Sequence, residues 1–237
     1  MKKLIVLVLL SGVLGGVAFA ENIERGFVNV SANATAELTP DVVEFSVAVQ
    51  TFDNKSLQKA TLQNRLISET VINNLKSMIN SADGDYVKTS NYNATPVYVY
   101  SNNKRSIDKY QVSNTVIVHT KSIDKVGEMI DKAIASGATN VNSLNFSVSN
   151  YENQCNDLIN TASDKAKQTA FSAVKNFPAN VVGIRTMDVS CSANNSYRPR
   201  LLKSNAMMDS AAEVSSTTIE KGIVKIYANV NASYFVK

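Results

Sequence analysis

His119 is the one histidine of the chain, so any metal centre, Ser-His-Asp triad or Cys-His pair would have to be built around it. It stands in a stretch that alternates, where it shares a face with Ile117 and not with Val116 and Val118, and no group of His or Cys residues supplies further ligands. It reads as a structural or surface histidine. No Gly-x-Ser-x-Gly elbow, Gly-x-Gly-x-x-Gly turn or phosphate-binding loop is present, which leaves acyl transfer and nucleotide chemistry without a carrier. Paired carboxylates occur as Glu128 with Asp131, three apart on a helix, and as Glu37 with Asp41 about a turn. Such pairs are common on solvated faces, so no catalytic residue, metal ligand or cofactor is expected.

Two kinds of residue point to contact instead. Tyr92, Tyr98, Tyr100 and Tyr110 crowd around one hairpin, and tyrosine suits both strands and interfaces. Tyr98, Tyr100 and Tyr110 are the expected protomer contact. Lys104 with Arg105, and Arg198 with Arg200 and Lys203, form small basic clusters in loops, which would meet anionic lipid or envelope polymer if they do more than solvate the chain.

Cys155 and Cys191 are the only cysteines. A helix from Cys155 to about Phe177 climbs roughly 33 Å at about 1.5 Å per residue. The strand from about Asn180 back to Cys191 returns roughly 36 Å at about 3.3 Å per residue, which brings the sulfurs to one level. The spacing lacks the Cys-x-x-Cys form that depresses a thiol pKa, so a structural bridge is expected ahead of a redox pair.

A bridge also suits an exported protein. Lys2 and Lys3, the apolar run Leu4 to Leu10 and the small-x-small ending Ala18-Phe19-Ala20 read as a signal peptide cleaved after Ala20. Losing those two lysines lowers the net charge from +4 to +2, which gives no reason to expect nucleic acid. No later stretch is apolar enough to span a bilayer, and amphipathic helices do not fit a closed barrel wall. The expected compartment is the periplasm or cell envelope.

The elements that position these residues follow from periodicity. Gly26 to Glu37 and Val42 to Gln50 alternate about the Thr39-Pro40-Asp41 turn and read as a hairpin. A helix over about Lys55 to Ile79, capped by Asp53 or Asn54, has an apolar stripe broken only by Asn64. Tyr86 to Tyr100 is extended, with Pro96 placing it at an edge or bulge. Ser101 to Lys109 reads as a polar loop and Tyr110 to Thr120 as the returning strand. Ser122 caps a short helix that Gly137 stops. A strand over Val141 to Val148 and a helix over about Tyr151 to Phe177, with Ala162, Ala166, Ala170 and Ala173 on one face, come next. Strands over Val181 to Cys191 and Gly222 to Tyr234 flank Ser192 to Thr218, which reads as a flexible insertion.

The order ββαββαβαββ predicts an α+β fold of two units, about 21–121 and 122–237, each with a mainly antiparallel sheet and helices packed on one face.

Pro96-Val97-Tyr98 before the hairpin, Tyr110 opening the next strand, Gly127 and Asp131 in the second helix, Gly137-Ala138 after it and Phe146 beyond together resemble the SIMPL domain family. Pro40-Asp41, Lys88-Thr89 and the alanine spacing of the third helix match the same pattern, whereas Lys221-Gly222 stands where the family usually has Pro-Gly. The resemblance implies a cell-envelope location, a part in envelope or oxidative stress tolerance, and self-assembly. It favours a non-enzymatic assembly or interaction module, whose partners would be further copies of itself, an envelope protein or an anionic envelope surface. The alternative is a small-ligand binder or enzyme with a pocket between the two units.

Overall fold

The computed structural model describes residues 26–194 and 216–237. The leader and the basic cluster Arg198, Arg200 and Lys203 lie outside the described residues, as does most of the expected insertion. In chain order the elements are β1 (Gly26–Leu38), β2 (Val42–Asp53), α1 (Leu57–Lys76), β3 (Tyr86–Ser101), β4 (Lys104–Thr120), α2 (Val126–Ala135), β5 (Asn140–Ser147), α3 (Tyr151–Val174), β6 (Val181–Asn194) and β7 (Val224–Val236). Strand and helix order are those expected, and the fold is α+β.

The strands form a four-stranded sheet in the order β3-β4-β2-β5 and a three-stranded sheet in the order β1-β7-β6, with antiparallel pairing throughout. The expected hairpin of β1 with β2 is therefore absent. β2 pairs with β4 along one edge and with β5 along the other, so it has no edge left for β1. β1 pairs instead with β7, from Gly26 opposite Val236 to Leu38 opposite Val224. Asp41 fixes the crossing. Its backbone N–H donates to Ser147 O at 3.1 Å, and its carboxylate accepts from Ser149 N at 2.7 Å and Ser149 Oγ at 2.6 Å.

A division at residues 121 and 122 does not follow the sheets either. The four-stranded sheet uses one continuous run, from Val42 to Ser147, and the three-stranded sheet is made from the two ends of the chain.

In the larger unit α1 and α2 cover the inner face of the sheet. Val43, Phe45, Val47 and Val49 of β2 are fully buried with Val116 and Val118 of β4, against Val71 and Leu75 of α1 and Val126 and Met129 of α2. In the smaller unit Ala162, Ala166 and Ala170 of α3 are fully buried against Ala34, Val230, Ala232 and Tyr234. Side chains this small let a helix approach a sheet closely.

Several helix ends differ from the sequence reading. Ser56, not Asp53 or Asn54, caps α1 by accepting from Lys59 N at 3.3 Å, while Asp53 Oδ1 accepts from the backbone N–H groups of Lys55 and Ser56. Ser122 makes no side-chain cap, because a 3-10 turn over Ile123–Lys125 comes before α2. Gly137 does close α2, at a φ of +106° that favours glycine.

Ser101 to Lys109 is not a loop. The ladder of β3 with β4 runs on to Ser101 opposite Lys104, and only Asn102 and Asn103 turn, at φ values of +49° and +61°. Those angles suit the tight primed turns of two-residue hairpins, which asparagine tolerates. The polarity of this stretch reflects its exposure, not a lack of pairing.

Asn64, the break in the α1 stripe, is fully buried. Its Nδ2 donates to Val49 O at 2.8 Å and Val112 O at 3.3 Å, and its Oδ1 accepts from Ser68 Oγ at 3.2 Å. The amide thus ties α1 to both central strands. Asn64→Ala removes two donors from buried carbonyls and should lower stability by about 1–3 kcal/mol. A reduced urea midpoint at unchanged slope is the expected result, and an unchanged midpoint would show the amide to be idle.

Candidate interaction surface

Pairing of β2 with β4 ends at Asp53 opposite Tyr110, but β3 and β4 continue together for the rest of their length. From Val97 to Lys109 they form a two-stranded arm that extends past the sheet. An isolated two-stranded ribbon is at best marginally stable in water, so its side chains must supply contacts of their own. The Arg105 guanidinium lies 3.5 Å from the centroid of the Tyr98 ring, and Lys109 Nζ lies 4.7 Å from that of Phe52 at the base of the arm.

Tyr98 stands opposite Ile107 and Tyr100 opposite Arg105, which sets these four side chains on one face. Tyr98 is 40% exposed, Ile107 44% and Tyr100 71%, and Val99 on the other face is 45% exposed. The expected contact residues therefore do sit together on one projection, except that Tyr110 is half-buried at its root opposite Pro96. Pro96 lies on β3, an edge strand, beside an irregularity between Val97 and Tyr98, as its missing donor requires.

The other end of the same hairpin is pinned. Asp85 accepts from Thr120 Oγ1 at 2.6 Å, Lys121 N at 2.9 Å and Asn80 N at 3.2 Å. Burial pushes this carboxyl up, but the three hydrogen bonds and the nearby His119 outweigh it and hold the pKa below the usual carboxylate value.

One row of the outer face of the sheet carries a cluster that residue spacing did not reveal. Tyr86, His119, Glu44 and Asn145 stand opposite one another across all four strands. The Tyr86 and His119 rings stack at 4.8 Å, Tyr86 OH donates to Glu44 Oε2 at 3.2 Å, and His119 Nδ1 lies 3.8 Å from that oxygen. Lys88 Nζ lies over the Tyr86 ring at 4.5 Å from its centroid. Alternation had put His119 on the outer face, but only strand register could bring Glu44 and Tyr86 to it.

Three of the carboxylates noted in the sequence serve other partners. Asp131 accepts from Thr217 N at 2.8 Å and Thr217 Oγ1 at 2.6 Å, and these two bonds hold its pKa below the usual range. Glu37 meets Lys225 at 3.2 Å on the neighbouring strand, and Asp41 serves Ser149. Gly127 now has a reason as well: a Cβ there would fall on the backbone carbonyl of Thr217.

Cys155 of α3 and Cys191 of β6 form a disulfide with a Cα–Cα distance of 5.9 Å. It joins an apolar cluster of Val148, Val224 and Ile226. No group of three or more His, Cys, Asp or Glu residues among those described could hold a metal ion. One groove of about 370 Å³ lies between α3 and β6 beside Phe171, Ile184, Met187 and Tyr234, within the smaller unit, and another of the same volume lies along α1 beside Leu57, Leu62 and Arg65.

The model of the SIMPL family, described as a protein of unknown function (DUF541), matches residues 28–234. The chain belongs to the SIMPL family. It is also similar to the uncharacterized protein YggE of Escherichia coli K12, at 23% identity over 217 residues that cover 89% of this chain and 85% of the relative. YggE of Escherichia coli O157:H7 and of Shigella flexneri match to the same extent. Gly127 and Asp131 of α2 both meet the Thr217 segment, and Gly137 closes the helix.

Two predictions follow the anchors of this SIMPL chain. Because the folded Asp85 carboxyl titrates lower than the unfolded one, its contribution is complete above the unfolded value of about 3.9 and is lost as pH falls through the folded value. Asp85→Asn should cost about 2 kcal/mol at neutral pH and flatten the acid limb of stability against pH; a parallel limb in the variant would refute the assignment. For the cysteines, thiol titration of unfolded, unreduced protein should find no free thiol, and the double Cys→Ser variant should lose about 4 kcal/mol in the chain-entropy model. Ready exchange with glutathione at neutral pH would instead mark a redox pair.

Proposed function

We propose that this protein is an exported module of the periplasm or cell envelope that works by assembly or interaction and not by catalysis, with the β3–β4 arm as its protomer contact. The observation that carries the reading is the arm itself, a two-stranded projection whose Tyr98, Tyr100 and Ile107 are left exposed by the rest of the described chain. Exposed aromatic and aliphatic side chains grouped on a projection are the usual material of an interface core. Two of the three basic residues of the arm, Arg105 and Lys109, already lie against aromatic rings, which favours a protein partner over an anionic polymer.

Export is supported by the leader pattern of residues 1–20 and by a disulfide that an oxidising compartment would preserve. Within that compartment the SIMPL resemblance suggests a part in envelope or oxidative stress tolerance, reached through the assembly and not through the bridged cysteines.

Light scattering on a sizing column, over a range of concentration and salt, tests the contact. Wild type should elute as a multiple of the protomer, and replacing Tyr98 and Tyr100 together by Ser should reduce that mass while the circular dichroism spectrum is kept. Unchanged assembly size in the variant would count against the arm.

A further inference from the structure

α3 packs over β1 and β7 and leaves most of β6 uncovered. The space so left is the groove of about 370 Å³ between α3 and β6, a volume within the range of small-molecule sites. Its walls are apolar. Phe171 of α3 and Val182 of β6 are about half exposed and Ile184 is more than half exposed, so large side chains that suit a core stand open around one trough.

The floor holds a polar group without a mate. Tyr234 of β7 is 4% exposed and lies opposite Ile184. Its hydroxyl has no hydrogen-bond partner among the described residues, and it is not sealed in as the unpartnered Asn114 Oδ1 and Ser233 Oγ are. Burial raises its pKa above the usual value, which keeps the hydroxyl protonated and a donor. A buried hydroxyl without an acceptor lowers stability, so an acceptor entering the groove gains from meeting it. Lys167 on the rim makes no ion pair with a described residue either.

The disulfide sets a common level for helix and strand. From Cys155, α3 climbs about 24 Å to Phe171 at about 1.5 Å per residue, a height that β6 covers from Cys191 in about seven residues at about 3.3 Å each, near Ile184. By the same count Asp164 is level with Met187, and Lys167 falls between. The groove therefore runs from an apolar end, Phe171 with Val182 and Ile184, to a charged end, where Lys167 is the charge nearer to Ile184 and Tyr234. Its lining spans about 12 Å along α3, from Ser163 to Phe171, which suits an extended chain.

We infer that this groove binds a free single-chain carboxylate, whose aliphatic chain lies along Phe171, Val182 and Ile184 and whose head accepts from the Tyr234 hydroxyl and Lys167 Nζ. The site lies in the smaller unit, away from the arm, and does not depend on what the arm does. Two donors select an anionic head, while Asp164, one turn before Lys167, weakens that selection. A peptide strand is the poorer occupant. The β6 ladder shifts between Val181 and Gly183 and again between Ile184 and Thr186, beside the groove, which breaks the regular edge that strand addition needs.

Calorimetric titration of the purified protein with laurate, below its micelle concentration, tests the site. One laurate should bind per protomer, with octanoate weaker by up to about fourfold for each methylene lost. Dodecyltrimethylammonium, with the same chain and the opposite charge, should bind at least about tenfold more weakly than laurate. Lys167→Met and Tyr234→Phe should each weaken laurate by about tenfold, Asp164→Asn should tighten it, and Ile184→Asp should remove it. Failure of laurate to bind, affinity unchanged in Lys167→Met and Ile184→Asp, or equal affinity for the trimethylammonium compound overturns the inference. Phosphatidylglycerol vesicles separate a membrane source: capture of the protein on them through Lys167, with no binding of free laurate, assigns the head to a lipid and overturns the free carboxylate. Should Tyr234→Phe fail to fold, Lys167→Met and Ile184→Asp decide, since both positions are exposed.

Discussion

Burial of β2 is the constraint from which the rest of the architecture follows. Its inner face carries Val43, Phe45, Val47 and Val49, all fully buried, and even the outward Ser46 and Ala48 are nearly so. A strand covered this completely must be central, with a ladder on each edge to satisfy its backbone. β4 and β5 supply those ladders, and the remaining strands must then be sorted around them. β1 is excluded although it is the nearest strand in sequence, and it finds a partner at the other end of the chain. The second sheet exists because the first has no vacancy.

The two units are held by different physics. The larger gains from branched and aromatic side chains packed under two helices, where each fully buried Val or Phe contributes about 1.5–3 kcal/mol relative to exposure. The smaller is built on alanines, which bring α3 close but bury little area each. The disulfide from Cys155 to Cys191 compensates by joining α3 to β6, the strand that α3 covers least. Ile184 and Val189 of β6 consequently remain more than half or about half exposed, at 57% and 50%.

Much of this was legible in the sequence because it is local. Alternation gave the strands, the alanine stripe gave α3, Gly137 gave the end of α2, and the rise of a helix against that of a strand placed the two sulfurs at one level. What was not legible depends on register or on partners far along the chain. Nothing near Thr39-Pro40-Asp41 says that the next strand belongs to another sheet, since Ser147 and Ser149 are what hold Asp41. The polarity of Ser101 to Lys109 could not separate an exposed ladder from a loop. Asn64 looked like a flaw in an apolar stripe, and only the positions of Val49 and Val112 make it a clamp. Tyr98 and Tyr100 were readable as a surface, but that they stand on an arm beyond the sheet needed the place where β2 stops.

The connection into β7 joins the two units more firmly than the crossing at Asp41 alone would. Before β7 begins, Thr217 is bound at both its N–H and its hydroxyl by Asp131 of α2, and Ile219 packs against the core of the larger unit. Lys221 then lies 3.4 Å from Asp124 in the turn before α2. Gly127 lets the Thr217 backbone approach the helix closely enough for these contacts. β7 is the middle strand of the smaller sheet, so the strand on which that sheet is assembled starts from a segment already fixed to the larger unit. The smaller sheet is thereby set on the larger unit through the α2 contact as well as through the crossing at Asp41.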